Sequence, residues 1–331
     1  YEQRIAHLEY QLELLKRQVS GELPAEYTES PAPSVEPPQL LIYNARGQVI
    51  RLLILAQQLV HNAELARLGD PIEIRGEPAR AIVAPASEEL LLAFSSGRIF
   101  TLPVREVSPA AAGGSSLSWQ HATLPDEPRG TEMLSYITPI ANLALVDAFV
   151  QVSRRGFVKK LKASMAQSIL ANHYLGTAAS QSADRTLDLV LCAPHDRLVL
   201  ISSEGYLLCL ETDNLPYSLE EGIRLASTDH LVSAFTPRPD RPILIMTQIG
   251  KLLQQTPDEL ACTAALRTKG RPIFSAQRRT QGVRVVAAAA VHESDWGVAL
   301  HQDGWLTLHS VHEMMGAGKV PIDSELIAFT F

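Results

Sequence analysis

Between Arg154 and Lys162 the chain carries five cations, Arg154, Arg155, Lys159, Lys160 and Lys162, with Phe157 among them. Guanidinium and ammonium groups at this density suit an array of phosphates, which needs positive charge at a groove-spanning spacing and no base-reading geometry. On a strand, Lys160 and Lys162 point to one face and Lys159 to the other, while Arg154 and Arg155 sit on the preceding turn. A second basic set follows at Arg267, Lys269, Arg271, Arg278, Arg279 and Arg284. For both sets the plainer reading stays open: a solvated edge that discourages edge-to-edge pairing of strands. Arg98, Arg105 and Lys251 are isolated in sequence and add little.

Other chemistry is thinly supported. His195 and Asp196 read as a turn between strands, and the nearness of Ser202 in sequence does not make a triad. His301, His309 and His312 lack the spacing of a zinc motif. Trp119, Trp296 and Trp305 read as packing residues more than as stacking platforms. Cys192, Cys209 and Cys262 are odd in number and widely spaced, so they read as reduced core residues of a cytoplasmic protein, with neither a disulfide nor a zinc site expected. No cofactor or metal is called for, and the expectation is a chain with no active site of its own.

The formal net charge over 331 residues is −7, with a pI near 5.8. That balance gives no global attraction to nucleic acid, so any such contact has to be a local patch. No apolar run approaches the roughly 20 residues that cross a bilayer, nothing at the start resembles a signal peptide, and no membrane partner is expected. The first residue is Tyr1, which reads as a chain trimmed at its start.

What must position the cations is a repeat. An apolar run, a short polar turn closed by glycine and a second apolar run recur six times, at Gly47, Gly97, Gly156, Gly205, Gly250 and Gly304. The glycines stand 45 to 59 residues apart, the period of a propeller-like array whose units cannot bury their own apolar faces alone. Two places after each glycine comes an aliphatic residue, Val49, Ile99, Val158, Leu207, Leu252 or Leu306, which marks an inward strand face. Asn44, Ser153, Ser202, Thr247 and His301 stand three places before the glycine and open a turn that the glycine closes at positive φ. The Gly97 copy reads as one residue shorter.

Between glycines a second hairpin is expected, as in Arg80 to Ser95, Asp188 to Ser202 and Val283 to His301. Four strands per period and six periods make an all-β closed ring over residues 39–331. Pro103 to Ser135 reads as a surface loop between the second and third blades. Gln57 to Leu68 and Pro257 to Ala264 look partly helical, as connections leaving a hairpin.

Ahead of the ring, Tyr1, Ile5, Leu8, Leu12, Leu15 and Val19 alternate spacings of four and three, a heptad seam over residues 1–20. A helix this short wants a partner. A second copy (a homodimer), an upstream helix and the chain's own β domain are all open. Gly21 and Pro24 end the helix, and residues 21–38 form a proline-rich acidic tether.

VQVSRRGFVKKLKASM around Gly156 resembles the blade motif of the C-terminal domain of DNA gyrase A and its topoisomerase IV counterpart. LLAFSSGRIFTLPVREVSP around Gly97 resembles another blade of that family. The resemblance covers roughly residues 40 to 329, and motif, count and spacing agree. It implies a six-bladed β-pinwheel, a propeller variant whose neighbouring blades exchange strands and whose outer rim binds and bends duplex DNA for a type IIA topoisomerase. The family's wrapping box, Gln-Arg-Arg-Gly-Gly-Lys-Gly, has no counterpart after Gly47. The nearest string is QRRTQGV, Gln277 to Val283, with Thr280 and Gln281 in place of the paired glycines.

Two functions follow as expectations. One is a non-catalytic module that binds duplex DNA without sequence preference, in a cytoplasmic, nucleoid-associated setting. The other is a ring paired through residues 1–20 that serves as a protein-interaction scaffold, its DNA surface eroded.

Overall fold

The computed structural model describes residues 38–54, 63–110, 116–121, 129, 131–141, 143, 146–179 and 184–331. The heptad seam, the tether up to residue 37 and residues 57–62 lie outside them. The ring belongs to a unit spanning Pro37–Phe331.

Every copy folds on its glycine into one antiparallel hairpin. The six are Gln39–Tyr43 with Gln48–Leu53, Glu89–Phe94 with Ile99–Pro103, Ala148–Ser153 with Phe157–Lys162, Arg197–Ser202 with Tyr206–Glu211, Ile243–Thr247 with Leu252–Gln255, and Trp296–His301 with Trp305–Ser310. We number the blades 1 to 6 in that order. The turn glycines have φ between 70° and 88°, a left-handed backbone that glycine adopts without penalty. The polar opener completes the turn. Ser153 Oγ accepts from Phe157 N at 3.1 Å, Ser202 Oγ from Tyr206 N at 3.1 Å, and Thr247 Oγ1 from Lys251 N at 3.0 Å. The aliphatic residue two places after each glycine is at most 6% exposed.

The Gly97 turn is not shorter than the rest. Gly97 N donates to Phe94 O at 2.8 Å, the same spacing as Gly156 N to Ser153 O at 3.0 Å. Phe94 takes the opening position and turns its ring into the core, edge-on to Phe100 at 5.6 Å. Ser95 and Ser96 supply the hydroxyls instead, accepting from Met133 N and Arg98 N.

The expected second hairpins are blade-to-blade crossings. Arg80–Ala84 pairs with Gln39–Tyr43 of blade 1, and the turn after it leads into blade 2. Thr186–Cys192 and Val285–Ala290 likewise finish blades 3 and 5 before the chain enters the next blade. With Leu134–Pro139, Leu231–Phe235 and Leu326–Thr330 these form the six inner strands, which neighbour one another in cyclic order and close around a central channel. Sequence could not separate the two pairings because the strands on either side of the turn are both strongly apolar.

Each blade's outer strand comes from the chain beyond the next hairpin. Gln120–His121 pairs with Gln48–Val49 of blade 1, so Pro103 to Ser135 is an excursion that supplies a strand and then begins the inner strand of blade 2. Glu220–Glu221 pairs with blade 3 and Arg271–Pro272 with blade 4. Ala63–Arg67 is a strand on blade 6, not a helix, and joins the first period to the last. Blades 2 and 5 receive single bridges, Arg98 to Tyr174 and Lys251 to Lys319. In Pro257 to Ala264 the helical part is one 3-10 turn at Pro257–Glu259, and Cys262–Thr263 is a strand.

The core follows from this geometry. Alternate residues of a strand face opposite neighbours: Leu40 and Ile42 pack with Val298 and Leu300 of blade 6, while Leu41 and Tyr43 pack with Leu90 and Leu92 of blade 2. Apolar clusters fill every junction between neighbouring blades in this way.

The cysteine expectation needs correction. Cys192 is free and buried, but Cys209 and Cys262 form a disulfide with Cα atoms 4.5 Å apart. Strand exchange is the reason: Cys262–Thr263, beyond the hairpin of blade 5, runs parallel to Cys209–Leu210 of blade 4. Among the described residues no helix is long and apolar enough to cross a membrane.

Candidate nucleic-acid interface

The residue one place after each turn glycine opens the second hairpin strand and faces the outer strand. Those of blade 4 gather the second basic set. Two cations lie over the Tyr206 ring, Lys269 with Nζ 4.9 Å and Arg279 with Cζ 5.2 Å from its centroid. Arg279 Nη1 donates to Phe274 O at 2.5 Å, and Arg271 Nη2 to Gln255 Oε1 at 2.8 Å. Arg278 is exposed on the short helix Ala276–Thr280, which contains the QRRT of QRRTQGV and is capped by Ser275. Phe274 anchors the segment: its buried ring sits against Gly205, where an added Cβ would come within 2.4 Å of it. Lys269, Arg271, Arg278 and Arg279 therefore share the outer edge of one blade.

Arg267 and Arg284 do not join them. Arg267 pairs with Glu220 at 2.9 Å on the edge of blade 3. Arg284 lines the central channel and donates to Val283 O at 3.2 Å.

The first basic set divides as its strand alternation requires. Lys160 Nζ donates to Thr212 O at 2.8 Å, and Lys162 Nζ, exposed, lies 5.6 Å from the ring centroid of Tyr217. Lys159 points the other way, beside Gly176. The two turn arginines are both engaged by other parts of the chain. Arg154 lines the central channel and forms an ion pair with Glu77, which also holds Arg185. Burial, then the neighbouring Arg185, lowers the Arg154 pKa to about 10. Arg155 donates to the carbonyls of Ala226 at 3.0 Å, Ser227 at 3.3 Å and Asp229, fastening the loop at residues 226–229. The same arginines bear on His230, whose pKa falls to about 4 through burial and the charges of Arg154, Arg155, Arg185 and Arg80.

Sequence reading missed what the glycine-plus-one position does. There Arg98 faces Tyr174, Lys251 faces Lys319 and Trp305 faces Arg67. Lys251, Lys319, Trp305 and Arg67 are exposed. Arg98 is paired with Glu132 at 3.0 Å and lies over Phe100. Aligning the copies on their glycines exposes the recurrence of aromatic and cationic residues at this position; the outer-strand partners have no such signal because they come from another period. Trp119 and Trp296 pack in the junction of blades 1 and 6, while Trp305 is 37% exposed.

The histidines take structural places. His195 lies on the turn into blade 4, its Nδ1 2.6 Å from Asp213 Oδ2, and that hydrogen bond lowers the Asp213 pKa. Ser202 Oγ is engaged with Tyr206 N. His301 Nε2 and His309 Nε2 flank Thr307 Oγ1 at 2.9 and 2.7 Å.

Six hairpin blades in a closed ring, four of them completed by a strand and two by a single bridge from the next period, define a six-bladed β-pinwheel. Among solved structures the chain is similar to the C-terminal domain of DNA topoisomerase IV, at 16% identity and a TM-score of 0.54, over 90% of this chain and 94% of that one. It is also similar to the DNA gyrase A C-terminal domain, at 12% identity and a TM-score of 0.62, over 88% and 98% of the two chains. At these identities the likeness is one of fold. No family model and no curated protein matches the sequence.

Proposed function

We propose that the ring is a non-catalytic module that binds duplex DNA along its outer edge and bends it, serving a type IIA topoisomerase. The observation that carries this reading is the clustering of Lys269, Arg271, Arg278 and Arg279 around Tyr206 on one blade edge. Lys251 and Lys319 on blade 5 and Arg67 on blade 6 extend positive charge to the two blades that follow. A curved rim with spaced cations suits phosphates on a bent duplex and reads shape more than bases. The fold shared with the gyrase A and topoisomerase IV domains supports the same reading. Lys159 and Lys162 are the members of the first basic set best suited to join this path, since Arg154, Arg155 and Lys160 are engaged elsewhere. Residues 1–20 would bring two such rings together through Ile5, Leu8, Leu12, Leu15 and Val19.

A protein-interaction scaffold is the second reading, and Glu220–Glu221 on the outer edge of blade 3 favours it. A duplex titration at low and moderate salt, with the chain and its K269A/R271A/R278A variant, separates the two. On the DNA reading the variant loses at least tenfold in affinity, and its log–log salt slope falls by about 0.9 per phosphate contact removed. No binding by the parent chain at low salt leaves the scaffold.

A further inference from the structure

We propose that the Cys209–Cys262 disulfide is a site of thiol–disulfide exchange with a dithiol reductant, and that it latches the segment carrying the blade-4 cations. Its consequence for DNA rests on the function proposed above; the latch itself does not.

Cys209 lies in the second hairpin strand of blade 4 and is 1% exposed, while Cys262 is half-buried on the incoming strand. Only two residue pairs, Cys209 with Cys262 and Leu210 with Thr263, join these strands by backbone register. At this end of the excursion from blade 5 the covalent bond adds to the burial of Leu260 in the junction of blades 4 and 5. Beyond Cys262 the chain touches the edge of blade 3, where Arg267 N donates to Gly222 O at 3.0 Å. It then returns to pair Arg271–Pro272 with blade 4, buries Phe274 and forms the helix Ala276–Thr280. Lys269, Arg271, Arg278 and Arg279 all lie on this one excursion. The third cysteine is no competitor, since burial raises the Cys192 thiol to about 12 and keeps it protonated.

The exchange balances with one dithiol. A thiolate of the reductant attacks the sulfur of Cys262, the less buried of the two cysteines, forming a mixed disulfide as Cys209 Sγ leaves and takes a proton. The reductant's second thiol then displaces Cys262 as a thiol. The reductant is oxidised to its disulfide by two electrons, and the protein gains two thiols. Once reduced, the Cys262–Thr263 strand is held by its short register and by the packing of Leu260 and Cys262 at the junction of blades 4 and 5, and the cationic segment loses its covalent tether on that side.

The test uses the full chain before and after dithiothreitol, with C262S and C192S variants. Thiol titration should find one thiol before reduction and three after; three thiols in the untreated, air-equilibrated chain overturn the proposal. Hydrogen exchange should lose protection across residues 262–284 on reduction and in C262S, while blades 1 and 2 stay unchanged; no change in that segment overturns the latch. Duplex affinity should fall about fivefold on reduction in the parent and in C192S, and C262S should bind like the reduced parent and ignore dithiothreitol. If DNA is not bound in any state, the function proposed above fails, while the exchange result still decides the latch.

Discussion

Glu77 and Arg154 form an ion pair that fastens the short hairpin Glu73–Pro78 to the third blade, and Arg185 shares the same carboxylate. The Glu77 side chain is 9% exposed, and both arginine pKa values are lowered to about 10, by burial first. Removing Glu77 leaves two half-buried cations sharing only the weaker pull of Asp184, whereas removing Arg154 leaves Glu77 with Arg185. Glu77→Ala should therefore cost about 3 kcal/mol, and Arg154→Ala clearly less, read from urea midpoints. Arg154→Ala should also leave the salt slope of duplex binding unchanged, because a channel-lining cation releases no counterion from DNA.

His309 gives the protein a pH dependence. It is 3% exposed, and burial, then His301, lowers its pKa to about 4; His230 is lowered to about 4 as well. The unfolded imidazoles take up protons near pH 6.5, so between that value and about 4 the unfolded chain binds more protons than the folded one. Stability should be level above pH 6.5 and fall as pH drops through this window. The groove beside His309 also carries Lys251, Lys319, Glu64, Asp303 and Asp323. Asp188 and Asp229, raised by burial, act in the opposite sense, since protonating them relieves a cost. Urea midpoints from pH 8 to 4 should show the fall, and His309→Gln should make it shallower. An unchanged curve in that variant would remove His309 as a cause.

Gly205 and Gly282 share a left-handed backbone, at φ 78° and 83°, but not their surroundings. A Cβ on Gly205 would meet the Phe274 ring at 2.4 Å, while nothing lies within 4 Å of one on Gly282. Gly282→Ala should cost about 1 kcal/mol, the backbone penalty alone. Gly205→Ala adds displacement of a buried aromatic ring and should cost about 3 kcal/mol. Because Phe274 anchors the cationic segment, only the Gly205 variant should also weaken duplex binding.

The ring was legible because its signals are local. A turn needs a polar opener and a glycine within four residues, and the buried position two places later follows from strand alternation. Strand exchange was not legible from spacing, because outer strands such as Glu220–Glu221 and Arg271–Pro272 are two residues long and meet partners from another period. Partners remote in sequence are hidden for the same reason. Arg154 reads as a turn cation open to phosphates because Glu77 is remote in sequence, and Cys209 and Cys262 read as unrelated because 53 residues separate them. Lys160 and Lys162 were correctly placed on one face, since alternation alone decides it.

Tyr206 tests whether the blade-4 cations act as an ordered set. Its ring holds Lys269 at 4.9 Å and Arg279 at 5.2 Å, and each such contact is worth about 0.5–1 kcal/mol at an exposed site. Tyr206→Ala removes no charge, so the number of phosphates neutralised, and with it the salt slope, should stay the same. What it removes is the platform that fixes two cations before DNA arrives. Duplex affinity should fall about five- to tenfold at every salt concentration, equivalent to about 1–1.4 kcal/mol, while Tyr206→Phe, which keeps the ring, should bind like the parent. A changed slope in Tyr206→Ala would mean that contacts are lost and not merely loosened, and equal affinity in all three proteins would mean that the ring only packs.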